Sequence, residues 1–150
     1  METLATIGYE GARIDDVVER LAAAGVKVLI DVRAVPRSRK PGFSKRQLAA
    51  GLDAAGIGYV HLIALGTPKA GRDAVRAGKP DVMRRIFAEH MTGDAPQAAL
   101  AEATELATRR PCCLLCFERD HRTCHRTIVA EMIAERTSIE IAHLTPPLPG

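Results

Sequence analysis

Apolar residues fall into five short runs, TLATIGY (3–9), KVLIDVR (27–33), GYVHLIAL (58–65), CCLLCFE (112–118) and SIEIAHL (138–144), each of a length that suits a strand. Between the runs, apolar positions recur three and four residues apart. Ile14, Val17, Val18 and Leu21 form one helical face, stopped by Gly25; Val82, Met83, Ile86, Phe87 and His90 form another, and Ile128, Val129, Met132 and Ile133 a third. The segment 95–109 is rich in Ala, Glu and Leu, which lose little freedom in a helix, and Gly93 and Asp94 separate it from its predecessor. GFSKRQL predicts a helix over 44–56: Ser44 is placed to cap it with Gln47 at the third helical position, and Phe43 and Leu48 have the spacing of a hydrophobic staple.

Strand and helix alternate, and parallel neighbours need long crossovers, so the pattern predicts an α/β fold: a single three-layer domain over 1–150, with a mostly parallel sheet of about five strands flanked by helices. The glycines and prolines of GTPKAGRDAVRAGKP (66–80) predict a mobile loop or lid, and 145–150 reads as a Pro-rich tail.

Composition narrows the function classes. The 150 residues are 47% hydrophobic and 26% charged, which suits one globular domain and not a disordered chain. Phe43, Phe87, Phe117, Tyr9 and Tyr59 are the whole aromatic set, leaving few platforms for stacked bases, and a formal charge of +3 is small for a protein that coats DNA. Cys112, Cys113, Cys116 and Cys124 crowd into one segment and cannot staple distant parts of the chain, so reduced thiols in a cytoplasmic protein are expected. METLATIGYEGARIDD lacks a basic leader, and no apolar run is long enough to cross a membrane, so neither export nor a membrane span is expected.

In sheets of this kind ligands bind beyond the carboxyl ends of the strands. There the first strand runs into Tyr9 and Glu10, the second ends in Asp31 and Arg33, the third carries His61, and the fourth ends in Cys116 and Glu118. Residues two apart leave a strand on the same face, so Asp31 with Arg33, and Cys116 with Glu118, can each line one pocket. The bland alternative for the first pair is a structural ion pair. The following stretch, VRAVPRSRKPGFSKR, holds Arg33, Arg37, Arg39, Lys40, Lys45 and Arg46 without an acid, is stiffened by Pro36 and Pro41, and leads into a helix N-terminus. That is an anion-binding pattern, weighed against a merely solvated basic loop.

CFERDHRTCHR (116–126) concentrates thiols, imidazoles and guanidinium groups. Thr123 is a reasonable cap for the helix that follows, which puts Cys124 in its first turn beside His125 and Arg126, where positive charge favours the thiolate as nucleophile or ligand. Three other uses compete. Zinc is one, with Cys116, His121, Cys124 and His125 as ligand types, although adjacent Cys124 and His125 match no common finger spacing. Redox chemistry at Cys113-x-x-Cys116 is disfavoured because those side chains leave a strand on opposite faces, while a Cys116–Cys124 disulfide stays open. The last is purely structural: the thiols pack, Arg126 pairs with Glu118, and His125 satisfies a carbonyl.

The motifs TIGYEG, DVRAVPRSRKPGFSK, GIGYVHLIALG and CFERDHRTCHRTIVA resemble, in order and spacing, those of the domain of unknown function 488 family. The resemblance implies that Asp31, Arg33, Ser38, Arg39, Phe43, Ser44, Lys45, His61, Cys116, Glu118, Cys124, His125 and Arg126 belong to a shared signature. Thr67, after Gly66, and His121 depart from it, since relatives tend to carry a second glycine and a proline there.

The expected function is an enzyme-like pocket for an anionic, phosphate-containing substrate such as a nucleotide or a nucleic-acid end. Arg33, Arg39 and Arg126 would clamp the anion with Tyr9, Ser38 and Lys45 nearby, Cys124 would be nucleophile or thiolate ligand, His61 or His125 would carry the proton, and Glu118 with Asp31 would orient them. No cofactor is expected, zinc being the alternative. The competing class is a non-catalytic nucleic-acid-binding module that uses 33–46 on phosphates.

Overall fold

The computed structural model describes residues 3–149. The five apolar runs become strands β1 (Thr3–Gly8), β2 (Val28–Asp31), β3 (Gly58–His61), β4 (Cys112–Cys116) and β5 (Glu140–Leu144), and these form one all-parallel sheet in the order β3-β2-β4-β1-β5. Parallel register sets Asp31 beside His61 and Leu115, and Gly8 beside Cys116, so the polar strand ends share one edge.

Helices cover both faces, as the three-layer expectation requires. On one face α1 (Ile14–Ala23) and α2 (Lys45–Ala54) bury Val17, Leu21, Leu48 and Leu52 with Phe43 against Leu29, Cys113 and Leu115. On the other, α3 (Lys69–Arg76), α4 (Pro80–His90), α5 (Asp94–Arg109) and α6 (His125–Arg136) bury Met83, Phe87, Leu100, Val129 and Ile133 against Ile30, Cys112, Leu114 and Cys116. Both faces of β4 are therefore dry, which explains its unbroken apolar sequence CCLLC. The apolar area buried on the two faces is the main stabilising contribution.

The strand order fixes where a ligand can enter. Chain leaving β2 turns toward β3, whereas chain leaving β4 turns toward β5 on the opposite side, so a crevice opens between the carboxyl ends of β2 and β4.

Four local expectations are corrected. The segment 66–80 is not a loop: α3 occupies Lys69–Arg76, supported by the Lys69–Asp73 pair at 2.8 Å one turn apart, and Pro80 opens α4. The Ser44–Gln47 capping box does not form. Ser44 begins α2 without a side-chain cap; its Oγ instead accepts from Ser38 N at 3.1 Å and donates to Ser38 O at 3.2 Å, tying the basic turn to itself, while Gln47 Oε1 accepts from Gly42 N. Cys124, not Thr123, is the N-cap of α6, because Thr123 lies in the 3-10 turn His121–Thr123. The third run is strand only to His61, and Ile63–Leu65 forms a 3-10 turn.

Candidate active site at the β2–β4 crevice

A cavity of about 690 Å³ occupies this crevice. The turn after β2 contributes Arg33, Ala34, Val35, Arg37 and Ser38 to its wall; the turn after β4 contributes Cys116, Phe117, Glu118 and Thr123; α6 adds His125 and β1 leads in Tyr9 and Glu10. The fourth side is α3 and its entry, with Thr67, Arg72, Val75 and Arg76. Close approach of this side depends on Gly66, where a Cβ would stand 2.4 Å from the Ala34 Cα, so that any side chain would push α3 off the basic turn.

Asp31 and Arg33 form a closed unit. Arg33 Nε donates to the two Asp31 oxygens at 2.9 and 3.1 Å and its Nη2 to Oδ2 at 2.8 Å, while Nη1 donates to Phe43 O at 2.7 Å and to Tyr9 Oη at 3.2 Å. Tyr59 Oη adds a donor to Asp31 Oδ2 at 2.6 Å. Burial alone would lower the Arg33 guanidinium, but Asp31 outweighs it and holds the group above its ordinary value; burial and Asp31 likewise raise the Tyr59 phenol. Tyr9 stacks on Phe43 with ring centres 4.2 Å apart and seals the pair from above. The pair therefore anchors the basic turn, and only the buried Arg33 side chain reaches the cavity wall, Asp31 lying beneath it.

The thiol centre is built differently. Cys116 ends β4, Cys124 begins α6, and His125 follows, its Nδ1 3.6 Å from Cys116 Sγ and 3.9 Å from Cys124 Sγ. The opposite nitrogen, Nε2, donates to Val32 O at 2.7 Å, because a carbonyl can only accept; this fixes the ring and aims Nδ1 at both sulfurs. Burial would raise the Cys124 thiol, but hydrogen bonds from Cys116 and His125 and the charges of His125 and Arg126 outweigh it and hold the group well below the usual thiol range. Cys116 moves the other way, raised by its hydrogen bond to Cys124 and by burial, and Cys124 lifts the buried His125. Glu118, half-buried on the wall, is pushed up to about 7 by burial and the Cys124 charge against the pull of His125 and Arg126. All four cysteines are free thiols, so the Cys116–Cys124 bridge left open by the sequence is not formed.

Several expected residues lie off the cavity wall. Arg126 is buried under the thiol turn, where Nη1 donates to Glu118 O and Nη2 to Arg119 O, so it pairs with the backbone of Glu118 and not its carboxylate. The approach is tight because Gly8 has no Cβ; one would stand 1.8 Å from Glu118 O. His61 half-buries at the β3 end and donates through Nε2 to Arg33 O at 2.9 Å. Arg39 and Lys45 are exposed beyond the cavity, and Lys45 N donates to Pro36 O. Cys124 is not among the residues that line the cavity, whereas its neighbours Cys116 and His125 are. His121, expected among the metal ligands, stands apart from the cluster and stacks on His143 with ring centres 3.6 Å apart. Three of the four proposed ligands remain together: Cys116, Cys124 and His125, whose donor atoms all lie within 4.8 Å of one another.

The model of one protein family, the domain of unknown function DUF488, matches residues 13–133 of the 150-residue chain. The chain belongs to the DUF488 family. The DUF488 match encloses both turns, α3 and all of the thiol centre, and leaves β1, with its TIGYEG motif, and β5 outside. No curated protein and no solved structure matches the chain.

Within the DUF488 region, the residues missed by the sequence reading are Thr67, Arg72, Val75 and Arg76. A signal was there: Lys69 with Asp73, and Arg72 with Arg76, are spaced one helical turn apart, but three glycines in 66–80 concealed it. No helix among the described residues is long and apolar enough to cross a membrane.

Proposed function

We propose that the chain is an enzyme that takes an anionic, phosphate-containing substrate, a nucleotide or a nucleic-acid end, into the β2–β4 crevice and presents it to the thiol centre. One observation carries this reading: a single cavity wall holds Arg37, Arg72 and Arg76 together with Cys116, His125 and Glu118. Guanidinium groups offer forked donors that match phosphate oxygens, and the three arginines come from two elements that line the same cavity, the basic turn and α3. Cys124, at a helix N-terminus and held by His125, is the thiolate at the chemical centre, and Glu118 is placed to accept or return a proton at the cavity wall. Asp31, Arg33 and Tyr9 support the basic turn. Four free, buried thiols favour a reducing compartment, which supports a cytoplasmic protein.

Calorimetric titration with inorganic phosphate and with a mononucleotide tests the reading. Arg72→Ala and Arg76→Ala should each weaken binding about tenfold, the loss of one charge-assisted hydrogen bond. Lys45→Ala, off the wall, should leave binding unchanged. Phosphate binding indifferent to both arginines would overturn the proposal; steeply salt-dependent binding of long single strands that is lost with Lys45→Ala would replace it with the nucleic-acid module.

A further inference from the structure

We propose that Cys116, Cys124 and His125 form a three-ligand site for one zinc-class divalent cation, with the fourth position turned toward the crevice. This deepens the proposed function, on which it rests for the role of the cavity, by naming what the Cys124 thiolate holds.

The geometry fits the ion. A zinc bonded at about 2.3 Å to sulfur and about 2.0 Å to nitrogen, at the tetrahedral angle, sets sulfur and nitrogen about 3.5 Å apart and two sulfurs about 3.8 Å apart. Nδ1 of His125 lies 3.6 Å from one sulfur and 3.9 Å from the other, and the three donor atoms fall within 4.8 Å of one another. One imidazole nitrogen cannot bond closely to two sulfurs at once, whereas one cation can be bound by all three atoms. The outer contact is also in place: Nε2 donates to Val32 O at 2.7 Å, which orients the ring so that Nδ1 is the nitrogen that faces the sulfurs and would take the cation once its proton is displaced.

Ligand number decides the type of site. A structural zinc closes its coordination with four protein ligands, and His121, the residue that would complete such a set, is stacked on His143 away from the cluster. Two of the three ligands, Cys116 and His125, line the cavity and Cys124 does not, so the remaining position is directed to the place where an anionic substrate would sit. Two thiolates and an imidazole suit zinc or cobalt(II) and disfavour magnesium and calcium, which take oxygen ligands.

The test is titration of the chelator-treated full chain with cobalt(II) alone, read by absorption. The expected result is one equivalent bound, with a thiolate-to-cobalt charge-transfer band and the intense visible bands of a tetrahedral ion. Cys124→Ser and His125→Asn should weaken binding by about a hundredfold or more, while His121→Ala leaves it unchanged. Because a cluster variant can fail to fold, the parent protein gives a second measurement: zinc should protect Cys124 from alkylation, mapped by mass spectrometry, and leave Cys112 and Cys113 as they were. Absence of both the cobalt bands and the zinc protection overturns the inference, as does full cobalt binding by Cys124→Ser. Phosphate titration of the same metal-free sample separates the two proposals: phosphate binding without cobalt binding sinks the metal site alone, and cobalt binding without phosphate binding sinks the anion pocket alone.

Discussion

The crevice is bounded by two polar clusters that look alike in the sequence, two titratable residues spaced by two at the end of a strand, yet the structure closes one with short hydrogen bonds and leaves the other with long sulfur contacts. Around Asp31, Arg33 finds a carboxylate, a carbonyl and a phenol, and Tyr59 adds a further donor; hydrogen bonds engage nearly every polar atom. Around Cys116, two sulfurs stand 3.6 and 3.9 Å from one imidazole nitrogen, and the Glu118 carboxylate has no guanidinium partner because Arg126 donates to its backbone. A network closed by short hydrogen bonds rigidifies; one held by long sulfur contacts beside a cavity can exchange them for a ligand. The first cluster holds a turn in place, and the second is the one on which the proposed function rests.

The difference can be broken most forcefully at Asp31. Asp31→Asn leaves Arg33 buried without its counter-ion and should cost about 3–5 kcal/mol in urea unfolding; a loss under about 1 kcal/mol would mean that the pair anchors nothing. Next in size is thiol reactivity in the metal-free native protein. Burial pushes Cys112 up to about 11 and Cys113 higher still, and Cys116 is raised as well, so mass-resolved alkylation at neutral pH should fall on Cys124 at least about tenfold faster than on the other three. Equal labelling of all four would erase the contrast between cluster and core. Tyr59→Phe removes one of several donors to Asp31 and should cost only about 1 kcal/mol by the same unfolding measurement; a cost equal to that of Asp31→Asn would show the network to be a single unit. The smallest effect belongs to the cavity mouth, where Arg72→Ala should change stability by less than about 0.5 kcal/mol even as it weakens phosphate binding. A large destabilisation there would make Arg72, which donates to Thr67 O, part of the scaffold.

Much of this was legible from the chain. Apolar run length gave the strands, because a parallel strand covered on both sides needs apolar residues at every position, as CCLLC has. The members of the thiol centre were legible as residue types in one loop. Orientation was not. Spacing by two puts Asp31 with Arg33 on one face and Cys116 with Glu118 on one face, but cannot say which face of the sheet; the structure sends Asp31 toward α1 and α2 and Cys116 toward α6. Nor could residue type show that Arg126 would turn to backbone carbonyls, a contact that depends on the missing Cβ of Gly8 across the sheet. The α3 helix was hidden because glycine and proline were weighed as breakers, whereas Pro68 stands at its start, Gly71 packs against Thr67 and Gly78 follows its end.

The bond from His125 to Val32 gives the imidazole two masters. One edge of the ring is pinned to the chain leaving β2 and the other addresses sulfurs carried by β4 and α6. Anything that wedges the two strand ends apart must therefore swivel the ring, so occupancy of the cleft and alignment of the sulfurs are mechanically one event.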